Sequence, residues 1–102
     1  VVADPTALDA ELAQGAFLLD VRNESEGRAS GRIEPSICIP LNELRARLSE
    51  LPKERTILIY CATGVRGYYA QRILAQHGLK AKSLSGGYES YRLVRAASTH
   101  RR

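Results

Sequence analysis

Apolar positions fall in short blocks whose spacing changes along the chain. "VVA" at 1–3 fits a short strand. In "DPTALDAELAQG", Leu8 and Leu12 share one face of a helix, with Asp4 as N-cap, Pro5 at the first helical position and Gly15 closing it. "AFLLDVR" is a continuous apolar run ending in charge, the pattern of a strand buried on both faces. "NESEGRASGRIEPS" is polar and rich in Gly, Ser and Glu, so it reads as a loop with at most one irregular turn. "ICIP" is a short strand stopped by Pro40. "LNELRARLSELP" predicts an amphipathic helix capped by Asn42, with Leu44, Leu48 and Leu51 inside. "TILIYC" is the most hydrophobic strand. Arg66 to His77 follows as a helix with Tyr69, Ile73 and Leu74 toward the core and Gly78 past its end. "AKSLSGG" reads as a weak strand and turn, and "YESYRLVRAA" as a final helix.

Strand and helix alternate throughout, which predicts an α/β fold: a parallel sheet with helices on both faces. The 102 residues fit a single domain, 1–102, with no repeat or interdomain linker. The chain starts at Val1 without Met, as expected of a domain cut from a longer protein. Residues 96–102 read as a flexible basic tail. The net charge is +4, with Arg92, Arg95, Arg101 and Arg102 near the end, but no aromatic–basic signature accompanies them, so no nucleic-acid partner is expected. No apolar run approaches the ~18 residues of a membrane span, and no membrane partner is expected.

Cys38 and Cys61 are too few for a disulfide framework, and His77 and His100 lie far from any ligand-like cluster. No metal and no resident cofactor is implied. Lone thiols in a domain with its own core point to a reducing compartment, the cytoplasm.

Cys61 stands at the mouth of the most hydrophobic strand, at the edge where open α/β sheets build their sites. The loop Ala62, Thr63, Gly64, Val65, Arg66 then leads directly into a helix. Its N–H groups can form an anion nest, helped by the helix dipole, Gly64 allows a tight curl, and Arg66 adds a cation. A setting of this kind favours the thiolate, the nucleophilic form of cysteine. On spacing alone, an inert strand cysteine before an ordinary turn fits about as well. Two reactions suit a cradled thiolate. Tyrosine phosphatases use Cys-x5-Arg, but here four residues separate Cys61 from Arg66, one short of that ring. Sulfur transfer, in which the thiolate takes a sulfane sulfur as a persulfide, needs only the smaller cradle.

These segments together resemble the rhodanese (sulfurtransferase) domain family over nearly the whole chain. "LLDVR" is similar to the family's strand ending in Asp-x-Arg, and "GRIEPSICIP" to its Gly-His-Ile-Pro-Gly-Ala-x-Asn-Ile-Pro segment. "YCATGVRG" resembles its Cys-x-x-Gly-x-Arg loop, and "LSGGYESY" its Leu-x-Gly-Gly-x-x-x-Trp ending. Arg32 stands for the family His, Cys38 for its Asn, Glu34-Pro35 for its Pro-Gly and Tyr91 for its Trp. The resemblance implies a three-layer fold around a five-stranded, mainly parallel sheet in the order 1-5-4-2-3. It also implies Cys61 as nucleophile and persulfide carrier, with residues 62–66 holding the terminal sulfur.

Family arginines at the loop's end often brace it against a carboxylate, and Asp20 and Arg22 are the candidates to support Arg66 or to form their own ion pair. Cys38, two strands from Cys61 in the implied order, is expected to be buried and structural. Tyr68 is a candidate for the pocket mouth, and Glu24 and Glu26 read as solvated loop charges. "NELRARLSELP", "CATGVRGYYAQRIL" and "LSGGYESY" look most like the domain fused behind coenzyme A-disulfide reductases, implying a flavoprotein disulfide reductase as a candidate partner. The small partners expected are a sulfur donor and a thiol acceptor; the donor is thiosulfate or a thiol persulfide, the persulfide being favoured because Arg66 is the loop's only cation. A silent rhodanese-like interaction module is the alternative, which the intact Cys61 disfavours.

Overall fold

The computed structural model describes residues 2–3, 8–33 and 35–99. Its strands are β1 (Val2–Ala3), β2 (Phe17–Asp20), β3 (Ile37–Cys38), β4 (Ile57–Tyr60) and β5 (Ala81–Leu84). They form one sheet in the order β1-β5-β4-β2-β3, and every pairing among them is parallel. The α-helices are α1 (Leu8–Ala13), α2 (Glu24–Ser30), α3 (Val65–Gln76) and α4 (Gly87–Thr99). The fold class and strand order agree with those expected from the sequence.

The apolar runs explain the layers. Side chains alternate faces along a strand, so a run buried throughout must be covered on both sides. Leu19, Val21, Ile57, Ile59 and Cys61 pack on one face with Ala70 and Leu74 of α3. Leu18, Leu58 and Tyr60 pack on the other with Leu8 of α1, and Tyr88 and Tyr91 of α4 close over them. The register sets Asp20 beside both Cys38 and Tyr60, which brings the carboxyl ends of three strands to one edge. Cys61 is the first residue past β4, at the middle of that edge.

Four local expectations are corrected. Residues 24–30, read as loop, form α2, with Asn23 and Glu26 completing a reciprocal capping box. The segment Leu41–Glu50 is a 3-10 helix broken at Arg47 (φ −119°, ψ 19°), not an α-helix, and Pro40 rather than Asn42 precedes it. Leu41 and Leu44 are three apart, as are Leu48 and Leu51, which matches the three-residue period of this helix type. The extra residue between the pairs falls at Arg47, where the fork to Glu50 and the contact to Glu43 hold the break. Tyr69, expected in the core, is 54% exposed, because α3 buries Gly67, Ala70 and Leu74 instead. Finally, α4 continues to Thr99, into the residues read as tail, and residues 100–102 lie outside the described residues, as do Asp4, Pro5 and Glu34.

Candidate active site

The chain leaves β4 at Tyr60, curls through residues 61–64 and enters α3 at Val65. Gly64 takes φ 112°, a left-handed conformation that favours glycine, and serves as the N-cap residue of α3. That curl turns the backbone inward. The N–H of Gly64 donates to Cys61 Sγ at 3.0 Å, and the N–H of Gly67 donates to it at 3.3 Å. The sulfur therefore sits at the N-terminus of a twelve-residue helix, in the first turn's ring of amides. Cys61 is buried and unbridged.

The outer side of the curl is held by α4. The N–H groups of Tyr88 and Glu89 donate to the carbonyls of Cys61 and Ala62 at 2.7 and 3.0 Å. The approach is close: a Cβ on Gly87 (φ 63°) would run into the Cys61 carbonyl oxygen and lie 2.8 Å from the Ala62 carbonyl carbon. "LSGGYESY" thus fixes the carbonyl side of the loop, leaving its amide side to face the sulfur.

Arg66 forms a two-pronged pair with Glu26 of α2, Nη1–Oε2 at 2.7 Å and Nη2–Oε1 at 2.8 Å. Glu26 Oε2 also accepts the Asn23 N–H at 2.9 Å. The Arg66 guanidinium, helped by that amide, holds the Glu26 carboxyl down at about 2 from an ordinary 4.5. The same pairing raises Arg66 above its usual range.

Asp20 and Arg22 do not brace Arg66. They pair with each other, both about 1% exposed, through Asp20 contacts at 2.9–3.3 Å from the Arg22 backbone amide, Nε and Nη2. Arg22 also donates to Ser30 Oγ and the Gly31 carbonyl, and its guanidinium lies 4.7 Å from the Tyr88 ring centre. This pair is a buried strut joining β2, α2 and α4. The carboxylate that holds Arg66 is Glu26, which had read as a solvated charge. The Asn-x-x-Glu spacing of the capping box was the signal that could have found it.

Cys38 lies on the edge strand β3, with β2 between it and β4. It is half-buried, its thiol donates to the Arg22 carbonyl at 3.3 Å, and burial, with the nearby Asp20 charge, pushes that thiol up. A higher thiol pKa makes it a poor nucleophile at neutral pH. Tyr68, 49% exposed, stands edge-on to Tyr69 just past the loop. Among the described residues no three His, Cys, Asp or Glu side chains gather as a metal site, and no helix is long and apolar enough to cross a membrane.

The family model of the rhodanese-like domain matches residues 4–93. A sulfurtransferase of Allochromatium vinosum is 36% identical over 87 residues, covering 82% of this chain and 80% of that protein. Among solved structures, reduced Bacillus anthracis CoADR-RHD superposes with a TM-score of 0.89 at 40% identity, covering 94% of this chain and 17% of that one. A rhodanese-related protein of Thermoplasma volcanium gives a TM-score of 0.85 at 29% identity, with 91% of each chain covered.

Proposed function

The chain belongs to the rhodanese-like domain family, and from that membership and the geometry around Cys61 we propose that it is a sulfurtransferase carrying sulfane sulfur as a persulfide on Cys61. The observation that carries this reading is the pair of amides, Gly64 of the loop and Gly67 of the first turn of α3, aimed at Cys61 Sγ. Donors placed where charge collects stabilise an anionic sulfur without having to reorganise.

In the first half-reaction the Cys61 thiolate attacks the outer sulfur of a persulfide RSS⁻. The new S–S bond forms on Cys61, the S–S bond of the donor breaks, and RS⁻ leaves with its electron pair. The product Cys61-S-S⁻ extends the anion by one atom. The amides of Val65 and Arg66, also among the first-turn donors that lack an intrahelical partner, supply the cradle for that terminal sulfur. An acceptor thiolate then attacks the outer sulfur and releases the Cys61 thiolate. No net oxidation occurs, and no cofactor is needed.

The short loop supports sulfur over phosphate: a tetrahedral phosphoryl group has three oxygens to satisfy, a terminal sulfur only one atom. A disulfide reductase flavoprotein is the partner proposed, in keeping with the likeness to CoADR-RHD. The reducing cytoplasm is the compartment proposed, since it keeps Cys61 a thiol. The test is to expose the protein to a sulfane donor and weigh it intact. One added sulfur that cyanide removes is the expected result; an unchanged mass with fully reduced Cys61 overturns the proposal.

A further inference from the structure

The loop carries one cation, and that cation is already engaged. Ala62, Thr63 and Val65 are uncharged, so Arg66 is the only cationic side chain of residues 62–66. Both its terminal nitrogens are turned to Glu26 at 2.7 and 2.8 Å. Glu26 cannot easily yield, because its own Oε2 is held by the Asn23 amide at the start of α2. Of the other cations near this edge, Arg22 is buried against Asp20 and Arg32 lies over Gly27. Beyond it, Arg72 of α3 sits by the Tyr68 ring.

We infer that Glu26 sets the charge of the donor this site accepts: by holding Arg66 in a bidentate pair, it keeps the loop's cation off the substrate and turns the site against dianionic sulfur donors, in favour of thiol persulfides. The inference rests on the sulfurtransferase reading and adds to it a residue outside the loop. The reacting end of a persulfide RSS⁻ brings one charge, located on the sulfur that the amides receive, while any other charge of R lies away from that end. Thiosulfate brings two, and its sulfonate oxygens, which depart as sulfite when the S–S bond breaks, project beyond the amide ring. With Arg66 paired to a carboxylate, those oxygens meet a neutral ion pair instead of a cation. Glu26 is therefore a positioning residue, acting through Arg66.

The test compares thiosulfate with glutathione persulfide for the parent protein and for Glu26→Gln, with folding of each checked by circular dichroism. Glu26→Gln removes the carboxylate that neutralises Arg66 while keeping the side chain's size. The expected result is a thiosulfate KM lower by about tenfold, the worth of one charge-assisted contact, while the persulfide KM moves by less than about twofold. The double variant Glu26→Gln with Arg66→Gln loses that gain. Equal changes for both donors, no change for either, or a gain that survives loss of Arg66 overturns the inference.

The parent supplies a readout that needs no substitution. Its thiosulfate kcat/KM should change less than about twofold between roughly 20 and 200 mM salt, since no free loop cation attracts the dianion. A steep fall overturns the inference. If Cys61 loads sulfur from neither donor, the sulfurtransferase reading itself fails; if it loads and the donor ratio ignores Glu26, only the present inference does.

Discussion

The carbonyl oxygen of Cys61 accepts the N–H of Tyr88 at 2.7 Å. The residue expected to carry the sulfur is thereby fixed by a helix that begins 26 residues later in the chain. Gly87 makes this possible, since its bare backbone packs against the Cys61 and Ala62 carbonyls. Gly87→Ala introduces both a left-handed alanine and a clash with backbone. A loss of about 2 kcal/mol or more in stability is expected, together with slower sulfur loading. Denaturant unfolding and intact mass after donor treatment check the two parts.

Only one of the two thiols is presented to amides. Cys61→Ser should abolish cyanide-removable sulfur, while Cys38→Ser should leave it within about twofold of the parent, because the Cys38 thiol is spent on the Arg22 carbonyl. Equal loss in a folded Cys38 variant would establish a dithiol mechanism instead.

Loop length separates the two chemistries that suit a cradled thiolate. Aryl phosphates should not be turned over, and inserting one glycine between Val65 and Arg66 should lower sulfur transfer by about tenfold or more, the weight of a misplaced donor in an anion hole. A phenol burst from the parent that vanishes in Cys61→Ser would argue for phosphate chemistry.

The Asp20–Arg22 strut is buried with all its polar atoms satisfied among the described residues. Asp20→Ala strands a buried guanidinium and should cost about 3–5 kcal/mol. Asp20→Asn, which keeps the shape, should cost less. Urea midpoints for both variants measure this.

The Glu26 carboxyl has its pKa lowered to about 2 in the folded protein, from an ordinary 4.5. A depressed folded pKa gives stability that is complete above about 4.5 and lost as pH falls toward about 2. The pair is about one-third exposed, so solvent screening reduces its worth to about 1 kcal/mol. The stability gap between the parent and Glu26→Gln should be full at neutral pH and close progressively between pH 4.5 and 2. A constant gap across that window would mean that the variant acts through something other than the charge.

What the sequence revealed, and what it hid, follows from where the stabilising energy lies. The alternation of strands and helices and the place of Cys61 were legible because continuous apolar runs and a Cys-x-x-Gly-x-Arg loop record burial and backbone geometry directly; the strand order came only from the resemblance to the rhodanese family. Helix α2 was not, because its one buried residue is Gly27, which leaves no apolar stripe to read. It is held by its cap and by Arg66, and those are polar signals. Tyr69 misled for the opposite reason: its helical spacing with Ile73 suggested burial, but α3 faces the core through Gly67, Ala70 and Leu74. The 3-10 helix kept the leucines an α-helix would have used, and only the three-residue steps within each pair betrayed it.

Because one oxygen of Glu26 serves both the amide of Asn23 and the guanidinium of Arg66, the start of α2 is coupled to the mouth of α3 across forty residues of sequence. Loosening one removes a contact from the other. Glu26→Gln should then speed amide hydrogen exchange at both Asn23 and Gly67. A short polar helix with almost no core of its own becomes the clasp that governs how often the sulfur's cradle comes apart.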